Sequence, residues 1–294
     1  RTLAPLGQVS NLLGRFNQAM TAYANFGQLM QQPVKEINRS GQVRVDKIEG
    51  KITISNASLT YPEQKEAVIK QVNLSVAAGE KIAIVGKIAS GKTSLLRIIT
   101  GLYDPSEGSV KIDKSDITHM HPDDIRNHIG VVMQIPMLFS GTLKENLLMG
   151  NPNATDKEMI AAAKLANVDE IASSLSDGYE TVIAEGGKEL SGGQRQAICI
   201  ARAFVGDPKI IIMDEPSSAM DSGSEQQLLE KLKDRLVNKT LILITHRGTL
   251  LSLVSRVVAF DNGRIVADGP KEKVLQAANK QPPQKPQEER QDAR

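Results

Sequence analysis

The run Gly86, Lys87, Ile88, Ala89, Ser90, Gly91, Lys92 and Thr93 follows the pattern G-x-x-x-x-G-K-[ST], and its residue types are those needed to hold phosphate. Successive backbone N–H groups and a helix N-terminus cradle the anion, Lys92 adds a point charge at the outer phosphates, and the Thr93 hydroxyl can ligate Mg²⁺. Ser94 continues the same helix start. The flanks carry as much weight as the motif. Lys81 to Val85 reads as a buried strand and Thr93 to Thr100 as a helix, the setting in which such a loop works.

Two further clusters could complete an ATP site. Ile210-Ile-Ile-Met-Asp-Glu215 is an apolar strand ending in two carboxylates, and a strand buried in a sheet delivers them to its C-terminal edge, where ligands of open α/β sheets bind. Asp214 is then placed for the magnesium shell and Glu215 for orienting or deprotonating the attacking water. Leu190-Ser-Gly-Gly-Gln194 opens a long helix, so Ser191, Gly192, Gly193 and Gln194 offer a second set of bare N–H groups to an anion. Helix capping by Ser191 would explain the serine without any ligand.

With that pentapeptide lying between the two ATP motifs, the chain resembles the nucleotide-binding domains of ABC transporters over about Val43 to Ala278. The resemblance implies ATP and Mg²⁺ as ligands. It also assigns Tyr61 to stacking on adenine, Gln134 to Mg²⁺ and the attacking water, His246 to the γ-phosphate, and Ser218-Ala-Met-Asp221 to a loop that faces a partner. Met220 stands where leucine is commoner in the family. Two such domains pack head to tail in this family, so the Ser191 loop of one copy completes the ATP site of a second copy.

Weaker signals favour an exporter. Ile135-Pro-Met-Leu-Phe-Ser-Gly-Thr-Leu-Lys-Glu-Asn146 is similar to the stretch after the family glutamine in exporters whose membrane and ATPase parts share a polypeptide. Ile183-Ala-Glu-Gly-Gly187 is similar to the exporter segment that touches the membrane domain, so Gln134 and Glu185 are the expected contacts with it. Leu3-Ala-Pro-Leu-Gly-Gln8 and the helix after it resemble the end of the last membrane helix in bacterial type I secretion ATPases, which export polypeptides such as RTX toxins and adhesins. That resemblance implies the cytoplasmic face of the inner membrane, with membrane-fusion and outer-membrane channel proteins as further partners. The alternatives are an exporter of lipid, peptide or small molecule, and a soluble non-transport ABC ATPase. The latter usually has coiled-coil insertions or tandem cassettes, which are not evident here. A module that had lost catalysis would lack Glu215 or His246.

Ala89 is the clearest departure from the family, which nearly always has glycine there. If its backbone must turn left-handed, the methyl costs on the order of 1 kcal/mol, and Ala89→Gly would tighten ATP binding a few-fold.

These residues need a scaffold, and the rest of the sequence supplies one. Apolar residues from Pro5 to Gln31 recur three or four apart, predicting an amphipathic helix that ends before Pro33, with a boundary near Ser40. Strand-like alternation begins at Gly41 to Val45 and resumes at Lys51 to Ile54. Helical spacing dominates about 136–205, between buried strands at Gly130 to Met133, at Ile210 to Met213 and at Leu241 to Thr245. Together with the resemblance, this implies an α/β fold: a P-loop NTPase (RecA-like) core sheet, an antiparallel β subdomain, and a helical subdomain inserted at about 136–205. The expected organisation is a linker helix over 1–40, a nucleotide-binding domain over 41–278, and a disordered polar tail over 279–294.

The 294 residues are 40% hydrophobic, enough for a substantial core, and the net charge of +2 is spread too evenly for a nucleic-acid surface. No apolar run approaches the ~20 residues of a membrane span, so the sequence reads as a soluble fragment of a larger transporter. Cys199 is the only cysteine and reads as a small buried residue. His119, His121 and His128 have no metal-ligand spacing.

Overall fold

The computed structural model describes residues 3–31, 42–62 and 64–280. The chain divides into two compact units, Arg1–Gln42 and Val43–Arg294. In the first, α1 runs over Leu3–Met30, two residues earlier than the spacing predicts, and Gln31 closes it with a bond to the Gly27 carbonyl. Leu12, Phe16, Tyr23 and Phe26 are among its exposed side chains. No described helix is long and apolar enough to cross a membrane. Pro33 and the boundary near Ser40 lie outside the described residues.

The second unit opens with β1 (Ile52–Leu59), β2 (Ile69–Val76), β3 (Lys81–Val85), α2 (Lys92–Ile99), β4 (Glu107–Ile112), β5 (Ser115–Asp116), α3 (Pro122–His128) and β6 (Ile129–Val132). A largely helical stretch follows: β7 (Gly141–Thr142), α4 (Leu143–Leu148), α5 (Asp156–Leu165), α6 (Val168–Ser174), β8 (Val182–Ile183) and α7 (Gly192–Phe204). The chain then returns through β9 (Ile210–Asp214), α8 (Ser222–Arg235), β10 (Thr240–Ile244), β11 (Arg256–Asp261), β12 (Arg264–Pro270) and α9 (Lys271–Lys280). Asn279 and Lys280 thus belong to α9, and 281–294 lie outside the described residues.

Two larger sheets organise these elements, and β7 and β8 form a separate antiparallel pair. One of the larger sheets is antiparallel, in the order β2-β1-β4-β5; the other runs β12-β11-β3-β10-β9-β6 and is parallel except for the β11–β12 pair. Gly41 lies outside the described residues, and the alternation from Gln42 to Val45 does not become a strand. Val43 makes a single bridge instead, donating to the His119 carbonyl and accepting from His121 N–H.

Period-two burial explains why β3, β9 and β10 read as unbroken apolar runs. Ile82, Ile84, Ile210, Ile212, Ile242 and Ile244 point into the core shared with the antiparallel sheet and α2. Their neighbours Ala83, Ile211, Met213, Leu241 and Leu243 point into a second core with α7 and α8. A strand covered on both faces must be apolar at every position. Each fully buried Ile or Leu contributes about 1.5–3 kcal/mol, so the central strands hold the loops at their ends firmly. In the helical stretch, capping boxes set the starts of α4 (Thr142 with Glu145), α5 (Thr155 with Glu158) and α7 (Ser191 with Gln194).

Candidate nucleotide and catalytic site

Because β3, β10, β9 and β6 are parallel neighbours, the segments that leave their C-terminal ends emerge along one sheet edge. Those segments are Gly86–Gly91 after β3, Thr245–His246 after β10, Glu215 after β9 and Met133–Gln134 after β6. The Gly-rich loop turns directly into α2, whose N-cap, Gly91, has φ 103. A side chain at Gly91 would press on the Val68 carbonyl and Phe260, so glycine is required there by space as well as by backbone angle. Ala89 has φ 61, the left-handed condition set out above. Its methyl therefore strains the loop by about 1–2 kcal/mol.

Lys92 is buried and curls back over the loop, its Nζ donating to the carbonyls of Gly86 (2.8 Å) and Lys87 (2.7 Å). Burial lowers its pKa, against the pull of the Asp214 and Glu215 carboxylates. Thr93 Oγ1 donates to Asp214 Oδ2 at 2.8 Å. Burial pushes the Asp214 carboxyl above its usual range, opposed by the Thr93 hydroxyl, Lys92 and His246. A hydroxyl and a carboxylate in contact at a phosphate loop are the hard oxygen donors that Mg²⁺ takes.

Glu215 sits in a left-handed turn at φ 47, its N–H bonded to the Ile244 carbonyl at 2.8 Å. Its Oε2 accepts from Thr245 Oγ1 (3.4 Å), and its Oε1 faces His246 Nε2 at 3.6 Å. That Oε1 is buried and has no hydrogen-bond donor among the described residues. A buried acceptor of this kind fits a water molecule that it would orient. The His246 side chain is 59% exposed and open to a ligand from the solvent side.

Tyr61 is half-buried. Its hydroxyl bonds Ser94 Oγ (3.0 Å) and Arg97 (3.0 Å), Tyr103 meets the ring edge-on, and the Arg97 guanidinium lies over it at 5.8 Å. Gln134 is exposed just past β6. The segment after it is anchored through buried Asn146, which bonds both polar backbone groups of Phe139, and through Arg202, which bonds Met137 O and Asn146. The Glu185 turn lies beside that segment, since Gly186 N–H donates to Leu138 O at 3.0 Å.

Ser191–Gln194 stands apart. No hydrogen bond among the described residues joins it to the phosphate loop; Ser191 and Gln194 cap α7 between themselves. Sequence reasoning missed two side chains that fasten the neighbouring Ser218–Met220 loop. Gln196 is fully buried and bonds Glu215 O, Ser218 Oγ and Ala219 N–H. Arg247 pairs closely with buried Glu225 and reaches the carbonyls of Ser218 and Met220. A glutamine among the apolar residues of α7's buried face was the legible signal for the first.

Sheet order, phosphate loop and strand-end carboxylates define a P-loop ATPase domain of the ABC type. The family model for ABC transporters matches residues 69–218, and the chain belongs to that family. It is 34% identical over 273 residues to the leukotoxin export ATP-binding protein LtxB of Aggregatibacter actinomycetemcomitans, covering 93% of this chain and 38% of the relative. It is also 34% identical over 279 residues to the leukotoxin translocation ATP-binding protein LktB of Mannheimia haemolytica, covering 95% of this chain and 39% of that protein. The chain therefore spans about two fifths of the length of these relatives. Among solved structures, a bacterial Atm1-family ABC exporter with ATP bound matches with a TM-score of 0.79 and 30% identity, covering 89% of this chain and 46% of that one.

Proposed function

We propose that this chain is the ATP-hydrolysing domain of a type I secretion exporter of polypeptides, acting at the cytoplasmic face of a bacterial inner membrane. The carrying observation is the single sheet edge from which the phosphate loop, Asp214, Glu215, His246 and Gln134 all emerge. The similarity to leukotoxin export and translocation proteins supports the cargo class.

In this reading the backbone N–H groups of Gly86 to Thr93, with Ser94, hold the phosphates of ATP, and Lys92 leaves its loop carbonyls for the outer phosphate oxygens. Tyr61 receives the adenine on its ring. Thr93, Asp214 and Gln134 would hold Mg²⁺, which when bound neutralises phosphate charge. Glu215 Oε1 orients the attacking water and takes its proton, while His246 contacts the γ-phosphate. Ser191, Gly192, Gly193 and Gln194 of a second copy close the site from the opposite side. The Gln134 segment and the Glu185 turn lie side by side and display Ile135, Met137 and Phe139 to solvent, a surface suited to the membrane-spanning domain. Membrane-fusion and outer-membrane channel proteins complete the assembly.

Glu215→Gln tests the assignment. It keeps the side-chain shape but removes the base, so hydrolysis should fall ~10²–10⁴-fold while ATP still binds and a nucleotide-bound dimer accumulates on gel filtration. Turnover near the parental rate would remove Glu215 from its role.

A further inference from the structure

We infer that Gln196 is a positioning residue through which the Ser191 loop, serving one nucleotide, holds Glu215, serving the other, in its hydrolytic geometry. The inference rests on the shared-site reading above. Gln196 is fully buried on α7, and its amide is used on both sides. Nε2 donates to Glu215 O at 3.0 Å and to Ser218 Oγ at 3.2 Å, and Oε1 accepts from Ala219 N–H at 2.8 Å.

Glu215 needs such support. A left-handed backbone at a non-glycine residue persists only where its surroundings over-determine it. Here the Glu215 N–H is tied to β10 through Ile244 O, and its carbonyl is tied to α7 through Gln196. The other end of the connection is rigid as well. A Cβ on Gly193 would come within 3.2 Å of Ala219 O, and one on Gly192 within 3.2 Å of Ala219 Cβ. The first turn of α7 therefore lies flush against the Ser218–Ala219 loop, and the two cannot move independently without a gap opening between them. When the Ser191 loop engages the partner copy's nucleotide, the position of α7 reaches the Glu215 carbonyl through one amide. Gln196 thus makes hydrolysis in one site depend on closure of the other.

Two substitutions in the whole chain separate this from a scaffold role. Gln196→Met fills the same space without an amide. Gln196→Glu keeps an acceptor for Ala219 N–H but, as a carboxylate, has no donor for Glu215 O. Both should lower kcat by about tenfold or more, leave equilibrium ATP affinity within about threefold, and bring the Hill coefficient for ATP toward 1. Gln196→Glu should in addition regain turnover as pH falls and the buried carboxyl protonates into a donor, a profile the parent lacks. Parental kcat and cooperativity in the methionine variant, or in the glutamate variant at the alkaline end of the profile where the carboxyl is ionised, would overturn the inference, as would loss of ATP binding in step with kcat. If Gln196→Met does not fold, the pH profile of Gln196→Glu decides alone. Glu215→Gln in parallel separates the failures. If it loses turnover and dimerises while the Gln196 variants match the parent, only this inference falls; if it hydrolyses ATP normally, Glu215 loses its assigned role and the inference falls with it.

Discussion

A single methyl group at Ala89 distinguishes this phosphate loop from the glycine-bearing loops of its family, and the backbone there is left-handed, at φ 61. Glycine at that position would relieve about 1–2 kcal/mol of strain, but it would also return about 0.4–1 kcal/mol of entropy to the unfolded chain. Thermal stability should therefore change little. Binding differs to the extent that a loop without nucleotide can relax Ala89 to negative φ, whereas a loop clasped on phosphates cannot leave the left-handed conformation. Ala89→Gly should tighten ATP affinity by about three- to tenfold, measured at equilibrium in the Glu215→Gln background. Equal or weaker affinity would refute strain as a cost of binding. The chemical step should be unaffected, because Lys92, Asp214, Glu215 and His246 keep their positions. At this scale the sequence was highly legible. Candidate phosphate-loop residues are adjacent in the chain and their chemistry is local, so spacing alone picks them out. Gln196 and Arg247 escaped because their partners lie in another segment, at Glu215 to Met220, and only folding brings them together.

At the scale of elements, the chain entering the second unit is held by α3. Asp124 accepts from Val45 N–H at 2.8 Å and from Arg44 at 3.0 Å, and His128 Nε2 contacts Val45 O at 2.9 Å. Burial acts to raise the Asp124 pKa, but the Val45 and Arg44 bonds and the charges of Arg44 and His121 outweigh it, and the carboxyl titrates below its usual value. A carboxylate with a depressed folded pKa contributes stability in full above the unfolded value of about 4, and loses it as pH falls through the folded value. Asp124→Asn should lower stability at pH 7 by about 1–3 kcal/mol and flatten the acid side of the Tm profile relative to the parent. Parallel Tm–pH curves for the two proteins would contradict this. The same clamp shows why the alternation at Gly41 to Val45 misled. Period two describes a chain that could be a strand, whereas Val43 finds only a short stretch around Met120 to bridge, and side chains of α3 take over the bonding. The central strands were legible for the opposite reason. Burial on both faces leaves an apolar run with no exception, as in Ile210 to Met213.

At the scale of the whole molecule, the proposal turns on two candidate anion-binding loops. Gly86–Thr93 and Ser191–Gln194 each lie at a helix start, and no hydrogen bond among the described residues joins them. On the proposed reading they are halves of different sites, which a second copy would unite. The sequence displayed both loops but not which residues each one bonds, which only the folded chain reveals. The most direct test is the dependence of Mg²⁺-ATP hydrolysis on protein concentration, from well below to well above the dimer dissociation constant. The account predicts a rate that rises with the square of concentration in the dilute range and becomes linear once dimers dominate. A specific activity that stays constant over the whole range would mean that one copy completes its own site, and would contradict the account.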